Sequence, residues 1–362
     1  LTSPVPYDTG DVAYIWPPPA IDETRAMLIQ LDIDPDRVIK SVTPINTDLT
    51  SPLQSPFPCT TLQLMSFLFD VLAVPTRSSF SLLAPYTTNA LHAEKLRFFG
   101  SAAGLRARRE YASDERRPIA EILREFDSVP PPLARLFEIV PRLRARAFSI
   151  CSRGGATVSL PLALTVAVVD HRTPDGRRRR GRCSAWLASL KSGDTIPLYI
   201  GGGSITMPPK TAPLLLIGPG TGIALPLALI EHRAVEAGAN RSNMLYFGCR
   251  HADADHLYPH LSQHDALQRY CAVFSRDDDD KKLRYVQHAL KRDSALIRSF
   301  LLEHNAHVVL CGSAEKMPND VRTALIGILS QADDEHVMSR DEAEKFIRQM
   351  ELNGRYQTET WS

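Results

Sequence analysis

After Lys210, short apolar runs alternate along the chain with longer segments that have the 3.6-residue spacing of a helix. Each run is bounded by turn residues, which is typical of strands buried on both faces of a parallel sheet. The predicted strands are 214–217, 244–247, 272–274 and 307–310. This alternation predicts a doubly wound α/β parallel sheet, covered by helices, over residues 211–362.

The last helix of this region has the clearest ends. Ser339, followed three residues later by Glu342, forms a capping box, and Gly354 is placed to end the helix. The apolar stripe between these ends consists of Phe346, Ile347 and Met350. The spacing therefore predicts an amphipathic helix with one buried face.

Before Lys210 the hydrophobic period changes twice. Runs with a period of two, as in strands, lie on either side of a block with helical spacing. The predicted strands are 11–16, 145–150, 162–169 and 195–200, and the helical block runs from Thr60 to about Leu136. This order predicts a small antiparallel β-barrel domain, formed by 1–45 and 140–210, with a helical connecting insertion at 46–139.

A glycine-rich turn, GPGTG at 218–222, joins the first buried strand to a helix. Backbone N–H groups and the positive end of the helix dipole converge at such a turn, and glycine lets a ligand approach closely. A nucleotide pyrophosphate is the natural ligand, and glycines that serve packing alone are the alternative. The surrounding residues are apolar enough to suggest a membrane span, but the glycines and prolines among them argue against one.

Composition narrows the choice of partner and compartment. The formal net charge of +1 gives no reason to expect nucleic acid as a general partner. The six cysteines are scattered without a C-x-x-C pair, so neither a zinc site nor a disulfide framework is indicated. We expect a soluble cytoplasmic protein with no metal site. The N-terminus lacks the basic and apolar regions of a signal peptide. The chain starts with Leu1 and not with Met, so we expect that a segment preceding it was removed or is not shown.

One run, RTPDGRRRRGR at 172–182, is strongly basic. Its Asp175-Gly176 pair predicts the turn of an exposed hairpin whose arginines are solvated. The alternative is that the run steers an acidic partner, because clustered charges raise encounter rates.

Eight short motifs occur in one order along the chain. They are RAFS at 146–149, GRCS at 181–184, GPGTG at 218–222, FGCR at 247–250, FSR at 274–276, YVQH at 285–288, CGSAEKMPNDV at 311–321 and the final RYQTETWS. Together they resemble the FAD- and NADPH-binding half of the diflavin reductases, the family of microsomal NADPH-cytochrome reductase. RAFS and QTETW are most similar to the cytosolic branch that supplies electrons for iron–sulfur protein assembly.

The resemblance implies a ferredoxin reductase-like fold in which the barrel binds FAD and the parallel sheet binds NADPH. The positions that match FAD-binding residues are Arg146, Phe148, Ser149, Gly181, Cys183, Ser184 and Trp361. Those that match NADPH-binding residues are Arg77, Gly220, Thr221, Cys249, Arg250, Ser275, Arg276, Lys282, Tyr285 and Gln287. Among these, Arg146 would hold the FAD diphosphate, and Ser275 with Arg276 would hold the 2′-phosphate of NADPH.

The resemblance also implies a site of hydride transfer. Ser149 and Cys311 match residues close to the reacting flavin and nicotinamide atoms. Glu359 matches a terminal acid that stabilises positive charge developing on the nicotinamide ring. Trp361 matches a terminal aromatic residue that stacks over the flavin and moves before nicotinamide enters. The chain would therefore be an NADPH-dependent flavin oxidoreductase, with catalytic residues far apart in sequence.

Two departures from the family pattern concern NADPH. Leu283 stands where relatives carry a lysine, for which Lys282 or Arg284 can substitute, and the run 277–280 is entirely aspartate. The resemblance implies further that electrons pass to FMN in a flavodoxin-like domain and then to an anamorsin-type iron–sulfur protein. The alternatives are a single-flavin or cytochrome-type reductase with another acceptor, and a non-catalytic docking module.

Overall fold

The computed structural model describes residues 6–42, 57–126, 130–155, 161–236, 242–277, 282–331 and 338–361. The chain divides into two compact units. The first, which we call the sheet unit, comprises Leu1–Ile15, Ala147–Ala167 and Pro197–Ser362. The second, which we call the helical unit, comprises Trp16–Arg146 and Val168–Ile196.

The secondary structure follows in chain order. The strands are β1 (Val12–Ile15), β2 (Val38–Ile39), β3 (Cys59–Thr60), β4 (Arg146–Ser149), β5 (Asp170–Arg172), β6 (Arg178–Arg180), β7 (Leu198–Gly201), β8 (Leu214–Ile217), β9 (Asn243–Cys249), β10 (Leu267–Phe274), β11 (His307–Ser313) and β12 (Tyr356–Trp361). The α-helices are α1 (Ile21–Gln30), α2 (Thr61–Leu68), α3 (Arg77–Leu83), α4 (Ala90–Gly100), α5 (Leu105–Arg108), α6 (Ile119–Glu125), α7 (Leu133–Ile139), α8 (Arg182–Ser189), α9 (Ala224–Glu236), α10 (Ala252–Asp255), α11 (Val286–Arg292), α12 (Ser294–Leu302), α13 (Met317–Leu329) and α14 (Arg340–Leu352). Short 3₁₀ turns cover Ala84–Tyr86, Gly220–Ile223 and Pro259–Gln263, and a π-helical turn covers Arg109–Asp114. In the part of the chain described, no helix has both the length and the apolar composition that crossing a bilayer requires.

A five-stranded parallel sheet organises the sheet unit, in the order β10-β9-β8-β11-β12. Each neighbouring pair of strands is parallel. Alternate residues of the central strands point to opposite faces: Leu215 packs in the core that α11–α14 cover, and Leu216 packs in the core that α9 covers. The four predicted strands and the doubly wound arrangement are confirmed. The fifth strand, β12, was not predicted.

The predicted ends of the last helix are also confirmed. Ser339 caps α14 and forms the capping box with Glu342. The Ser339 hydroxyl accepts a hydrogen bond from the Glu342 backbone N–H. Gly354 follows the helix with a φ of +74°, the left-handed conformation that glycine adopts most easily. Ile347 and Met350 are buried, and Phe346 packs at the edge of the same core.

The glycine-rich turn packs tightly between the ends of two strands. A Cβ atom on Gly222 would lie 2.4 Å from the carbonyl oxygen of Cys311, at the end of β11. Gly220 has a φ of +58°, so a side chain there would be strained. Pro219 lies within about 3.6 Å of the Cβ positions of Gly248 and Gly312, which flank it. Close packing therefore fixes the position of this turn relative to β9 and β11.

The predicted barrel is seen only as a small sheet. β1 lies between β4 and β7 in a three-stranded sheet, and β1 and β7 are antiparallel. The described residues contain no further strands that close it into a barrel. The predicted strand at 162–169 is wrong, because only Leu164 forms a bridge, with Ile150. Val168 and Val169 are exposed, and the backbone N–H of Val169 bonds to the Ser184 side chain instead of a neighbouring strand.

The helical unit has its own core, to which α1–α4, α6 and α7 contribute. The helical character predicted between Thr60 and Leu136 is confirmed. Thr60 and Thr76 form capping boxes at the starts of α2 and α3, which explains where these helices begin.

The basic run forms the predicted hairpin, β5 paired with β6, and Gly176 in its turn has a φ of +79°. Its arginines are largely paired with carboxylates of the same unit. Arg178 and Arg180 contact Asp170, and Arg177 and Arg179 contact Glu121. These pairs neutralise much of the positive charge on which steering of an acidic partner would depend.

The packing of the glycine-rich turn can be tested by adding one methyl group. We expect Gly222→Ala to lower the free energy of unfolding by about 1–3 kcal/mol, because the new Cβ overlaps the backbone of Cys311. Urea unfolding followed by circular dichroism measures this. The control is Gly327→Ala in α13, where a Cβ meets no atom within 4 Å, and which should stabilise the helix by about 0.5–1 kcal/mol. If the two variants have equal stability, the turn is not packed as described.

Candidate functional site

Three predicted residues from distant parts of the sequence meet in the sheet unit. Ser149 ends β4, Cys311 lies in β11, and Glu359 lies in β12 directly opposite Cys311 in the parallel register. The Ser149 hydroxyl donates a short hydrogen bond to Oε1 of Glu359. The topology thus joins positions 149, 311 and 359 at the carboxyl end of the sheet, where ligands of such folds bind.

Burial sets the protonation of this cluster. Glu359 is 9% exposed, and burial raises its pKa, while the bond from Ser149 opposes that rise. Burial and the nearby Glu359 raise the pKa of the Cys311 thiol well above its usual range. Cys311 is therefore a small neutral group and not a nucleophile at ordinary pH.

One oxygen of Glu359 is left without a hydrogen bond by the described residues. This atom, Oε2, is buried. Leaving a buried carboxylate oxygen unsatisfied is unfavourable. A bound group with an N–H donor or a positive charge would satisfy it, so the residues present fit a nicotinamide at this position.

Trp361 ends the same strand. It pairs with Ser313 in the register of β11 and β12, and its carbonyl oxygen accepts a bond from Ala314 N–H. Its side chain is 40% exposed. The tail is therefore docked in the sheet up to Trp361, and the indole is partly accessible to a ligand.

A second cluster of predicted residues lies where β9 and β10 end. Beyond the strands, Ser275 N–H donates to the Cys249 carbonyl at 2.8 Å, and Arg276 N–H donates to the Arg250 carbonyl at 2.9 Å. The FGCR and FSR motifs are therefore adjacent. The Arg276 side chain is exposed, and among the described residues no carboxylate pairs with it.

Acidic groups close to this second cluster are occupied by local partners. Asp277 accepts bonds from His251 Nδ1 and Ala252 N–H, both at 2.6 Å, and these bonds lower its pKa. Asp255 accepts a bond from Arg250 Nε at 2.9 Å. Asp277 is thus directed toward the loop after β9; the rest of the aspartate run, 278–280, lies outside the described residues.

The segment that departs from the family pattern returns to this cluster. Arg284 Nε donates to the Ser275 carbonyl at 3.1 Å, so a second guanidinium stands beside Ser275. Leu283 instead lines a cavity of about 250 Å³ together with Phe274 and Asp277, and Lys282 is exposed. Of the two candidates for the missing lysine, the structure brings Arg284 to Ser275.

Two further predicted nucleotide residues lie at the start of α11, and two lie in the glycine-rich turn. Tyr285 precedes the helix, is 50% exposed and makes an edge contact with His288. Gln287 Nε2 donates to Asp320 at 3.4 Å. Gly220 and Thr221 form the 3₁₀ turn after β8.

Four predicted FAD residues belong to the helical unit: Arg146, Gly181, Cys183 and Ser184. Arg146 donates to Oδ2 of Asp70 at 3.2 Å, and Arg182 donates to Oδ1 at 2.8 Å. Asp70 is buried, whereas the Arg146 side chain is 42% exposed. One buried carboxylate therefore binds two arginines. The three groups together keep a net positive charge, which suits a diphosphate.

The GRCS motif forms the start of a helix. Gly181 is the N-cap of α8, and Cys183 and Ser184 lie inside its first turn. The Ser184 hydroxyl accepts a bond from Val169 N–H at 3.1 Å. A Cβ on Gly181 would lie 2.6 Å from Ser184 Oγ, so the absence of a side chain leaves room at the helix start. Burial raises the pKa of Cys183.

Two predicted residues stand apart from these contacts. Phe148 is half-buried in β4. Arg77, also in the helical unit, is the first residue of α3, and its Nε donates to the Gly100 carbonyl at 2.8 Å.

Sequence reasoning missed the residues that hold the predicted ones in place. Asp70 and Arg182 frame Arg146, and His251 binds Asp277. Asp70 carried one usable signal, a single acid within the apolar run FLFDVLAV. Arg182 lay within the quoted GRCS motif but was assigned no role.

Two family matches cover most of the chain. Residues 2–186 match the FAD binding domain, and residues 216–323 match the oxidoreductase NAD-binding domain. The first match alone includes half of the chain.

Curated relatives match the chain along its whole length. NADPH-dependent diflavin oxidoreductase 1 of Danio rerio is 33% identical over 372 residues, which include 99% of this chain and 60% of the relative. The proteins of the same name from Bos taurus and Arabidopsis thaliana are 35% and 34% identical. The chain thus spans about 60% of the length of these relatives. With an FAD-binding domain followed by a nicotinamide nucleotide-binding domain, the chain belongs to the NADPH-dependent diflavin oxidoreductase family.

Proposed function

We propose that the chain is the NADPH:FAD reductase module of a diflavin oxidoreductase. NADPH would give a hydride to FAD, and electrons would leave singly for FMN in a flavodoxin-like domain. The final acceptor would be an anamorsin-type iron–sulfur protein of cytosolic iron–sulfur assembly, and the module would work in the cytoplasm. The resemblance of RAFS and QTETW to that branch supports the choice of acceptor.

One observation carries the proposal. Ser149, Cys311 and Glu359 come from three strands and meet beside the glycine-rich turn, with a buried Glu359 oxygen that lacks a partner. A cluster that served packing alone would satisfy that oxygen or replace the acid by an apolar residue. The geometry therefore supports a ligand with positive charge or an N–H donor, as in the nicotinamide ring.

The chain's residues would each have a defined part in this transfer. When bound, FAD accepts a hydride from NADPH and releases its electrons one at a time. Glu359 would stabilise positive charge that develops on the ring, because a fixed carboxylate acts strongly where water is excluded. Ser149 would orient that carboxylate. Burial keeps Cys311 neutral. Its small side chain would allow the nicotinamide ring to approach closely.

The residues at the ends of β9 and β10 would favour NADPH over NADH. Arg276 is exposed without a carboxylate partner in the described chain, and Arg284 stands at the Ser275 carbonyl. Two guanidiniums and a hydroxyl suit a phosphomonoester. The Asp277 carboxylate is bonded to His251 and Ala252, which moderates its repulsion of a phosphate.

The proposal is tested by the absorption spectrum of the purified protein and its reduction of ferricyanide. We expect a yellow protein with bound FAD that reduces ferricyanide faster with NADPH than with NADH. A colourless protein that never takes up added FAD would instead support a docking module. A yellow protein that reduces ferricyanide but fails to reduce a supplied FMN domain would support the single-flavin alternative.

The nucleotide preference has its own test in Arg276→Ala. Losing one charge-assisted contact to the 2′-phosphate should raise the KM for NADPH about 10- to 100-fold and leave the KM for NADH unchanged. Steady-state ferricyanide reduction with both nucleotides measures this. The control is Arg106→Ala, which removes the same charge from an exposed position on α5. Equal changes for both nucleotides would assign Arg276 to another part of the nucleotide.

Glu359→Gln tests the buried acid by rate and by stability. The rate of flavin reduction by NADPH should fall about 100-fold, because the amide carries no charge. The pKa of Glu359 is raised in the folded state. Its contribution to the free energy of unfolding is therefore fully present below the ordinary carboxyl pKa and is lost as pH rises through the folded pKa.

The variant lacks this dependence, so its melting temperature should rise relative to the native protein as pH rises above the ordinary carboxyl pKa. Stopped-flow absorbance and thermal melts provide the two readouts. Glu94→Gln, at an exposed position of α4, is the control. A difference in melting temperature that stays constant with pH would show that Glu359 has an ordinary pKa.

A further inference from the structure

The side chain of Gln357 forms two hydrogen bonds with the backbone of one distant residue. Thr206 N–H donates to Oε1 of Gln357 at 2.8 Å, and Nε2 of Gln357 donates to the Thr206 carbonyl at 2.9 Å. The amide group thus imitates the peptide of a neighbouring strand, since it supplies one donor and one acceptor in a plane. It ties β12 to the segment that follows β7.

Gln357 lies on the same side of β12 as Glu359. Successive side chains of a strand alternate between its faces, so positions 357 and 359 share one side, about 6.6 Å apart. On this side Glu359 is buried and Gln357 half-buried, while Tyr356, on the other side of the strand, packs in the core that α11–α14 cover. The bonds to Thr206 therefore act on the side of the strand that carries the acid.

The segment bound by Gln357 also passes the carboxylate itself. A Cβ on Gly203 would lie 3.7 Å from Oε2 of Glu359 and 1.9 Å from the carbonyl oxygen of Gly10. Gly203 is thus packed between the loop before β1 and the acid. Three residues later, Thr206 holds Gln357. One short segment therefore contacts both Glu359 and the side chain two residues before it.

Strand β12 needs such a contact because of its place in the fold. Among the described residues it is an edge strand, paired with β11 alone. An edge strand is held by a ladder of hydrogen bonds on one side only. The bond from Ala314 N–H to the Trp361 carbonyl holds the far end of β12, and Gln357 holds its start. A small movement of β12 would displace the Glu359 carboxylate from Ser149.

We propose that Gln357 is a positioning residue for hydride transfer, which acts by fixing where the Glu359 carboxylate stands. This inference rests on the reductase activity proposed above. Without its two bonds, Glu359 would remain present but its distance to a bound nicotinamide would vary. Displacements of about 1 Å at a reacting centre can lower rates by up to about a hundredfold. The effect should fall on the rate of transfer and not on nucleotide binding.

The test is Gln357→Met, which keeps the length of the side chain and removes both hydrogen bonds. Stopped-flow reduction of the flavin by NADPH should be about 10- to 100-fold slower, with unchanged FAD content and unchanged affinity for NADP⁺. Thr358→Val, on the opposite face of the same strand, should leave the rate unchanged. Gln357→Asn, whose amide is one methylene too short for both bonds, should also be slow and serves if the Met variant folds poorly.

A double-mutant cycle separates positioning from a general structural role. If Gln357 acts through Glu359, then Gln357→Met should have little further effect on a protein that already carries Glu359→Gln. Multiplicative losses, or native rates in both Gln357 variants, would overturn the inference. A native protein that NADPH does not reduce would contradict the proposed function itself, so the two failures are distinguishable.

Discussion

The parallel pairing of β12 with β11 is the interaction on which the candidate site depends. It places Glu359 opposite Cys311 and brings the last described residues of the chain to the carboxyl end of the sheet. Cys311 in turn meets the glycine-rich turn, since the Gly222 Cβ position lies 2.4 Å from its carbonyl oxygen. The acid, the thiol and the glycine-rich turn are thus linked by backbone packing.

Charge pairing gives the two candidate ligand-binding regions different characters. In the helical unit, Arg146 and Arg182 share buried Asp70, so their guanidiniums are already oriented. Such preorganisation lowers the entropy lost when a diphosphate binds. In the sheet unit, Arg276 has no carboxylate partner among the described residues and is exposed. It is therefore free to make its main contact with a ligand. The first arrangement suits a permanently held cofactor, and the second suits a substrate that must leave.

How much of the fold the sequence predicts depends on how completely each element is buried. The sequence predicts the strands from β8 to β11. Their apolar runs face helices on both sides or end at a recognisable motif. The final QTETW segment was read only as a motif, since an edge strand with one exposed face carries mostly polar residues. The opposite error occurred at 162–169, where an apolar pattern lies partly on the surface and the N–H groups of Ala163 and Val169 bond to side chains.

The sequence alone points to the candidate residues of the site but not to the residues that support them. Ser149, Cys311 and Glu359 stood in motifs that resemble a known family. Asp70, Gln357 and Thr206 act through geometry that appears only once the chain is folded. A glutamine in a polar tail gives no sign in the sequence that both ends of its amide will bond to a peptide 151 positions away.

One oxygen of Glu359 distinguishes this acid from one that the fold alone explains. Asp70 is also buried, yet both its oxygens accept bonds from arginines, so it is explained by the fold alone. Among the described residues, Glu359 receives one bond, from Ser149, and keeps one buried oxygen unsatisfied, while burial raises its pKa. A conflict between local stability and sequence is expected chiefly where function requires it. Because β12 and Gln357 hold the acid in place in spite of this conflict, the unsatisfied oxygen supports the proposal that a ligand binds here.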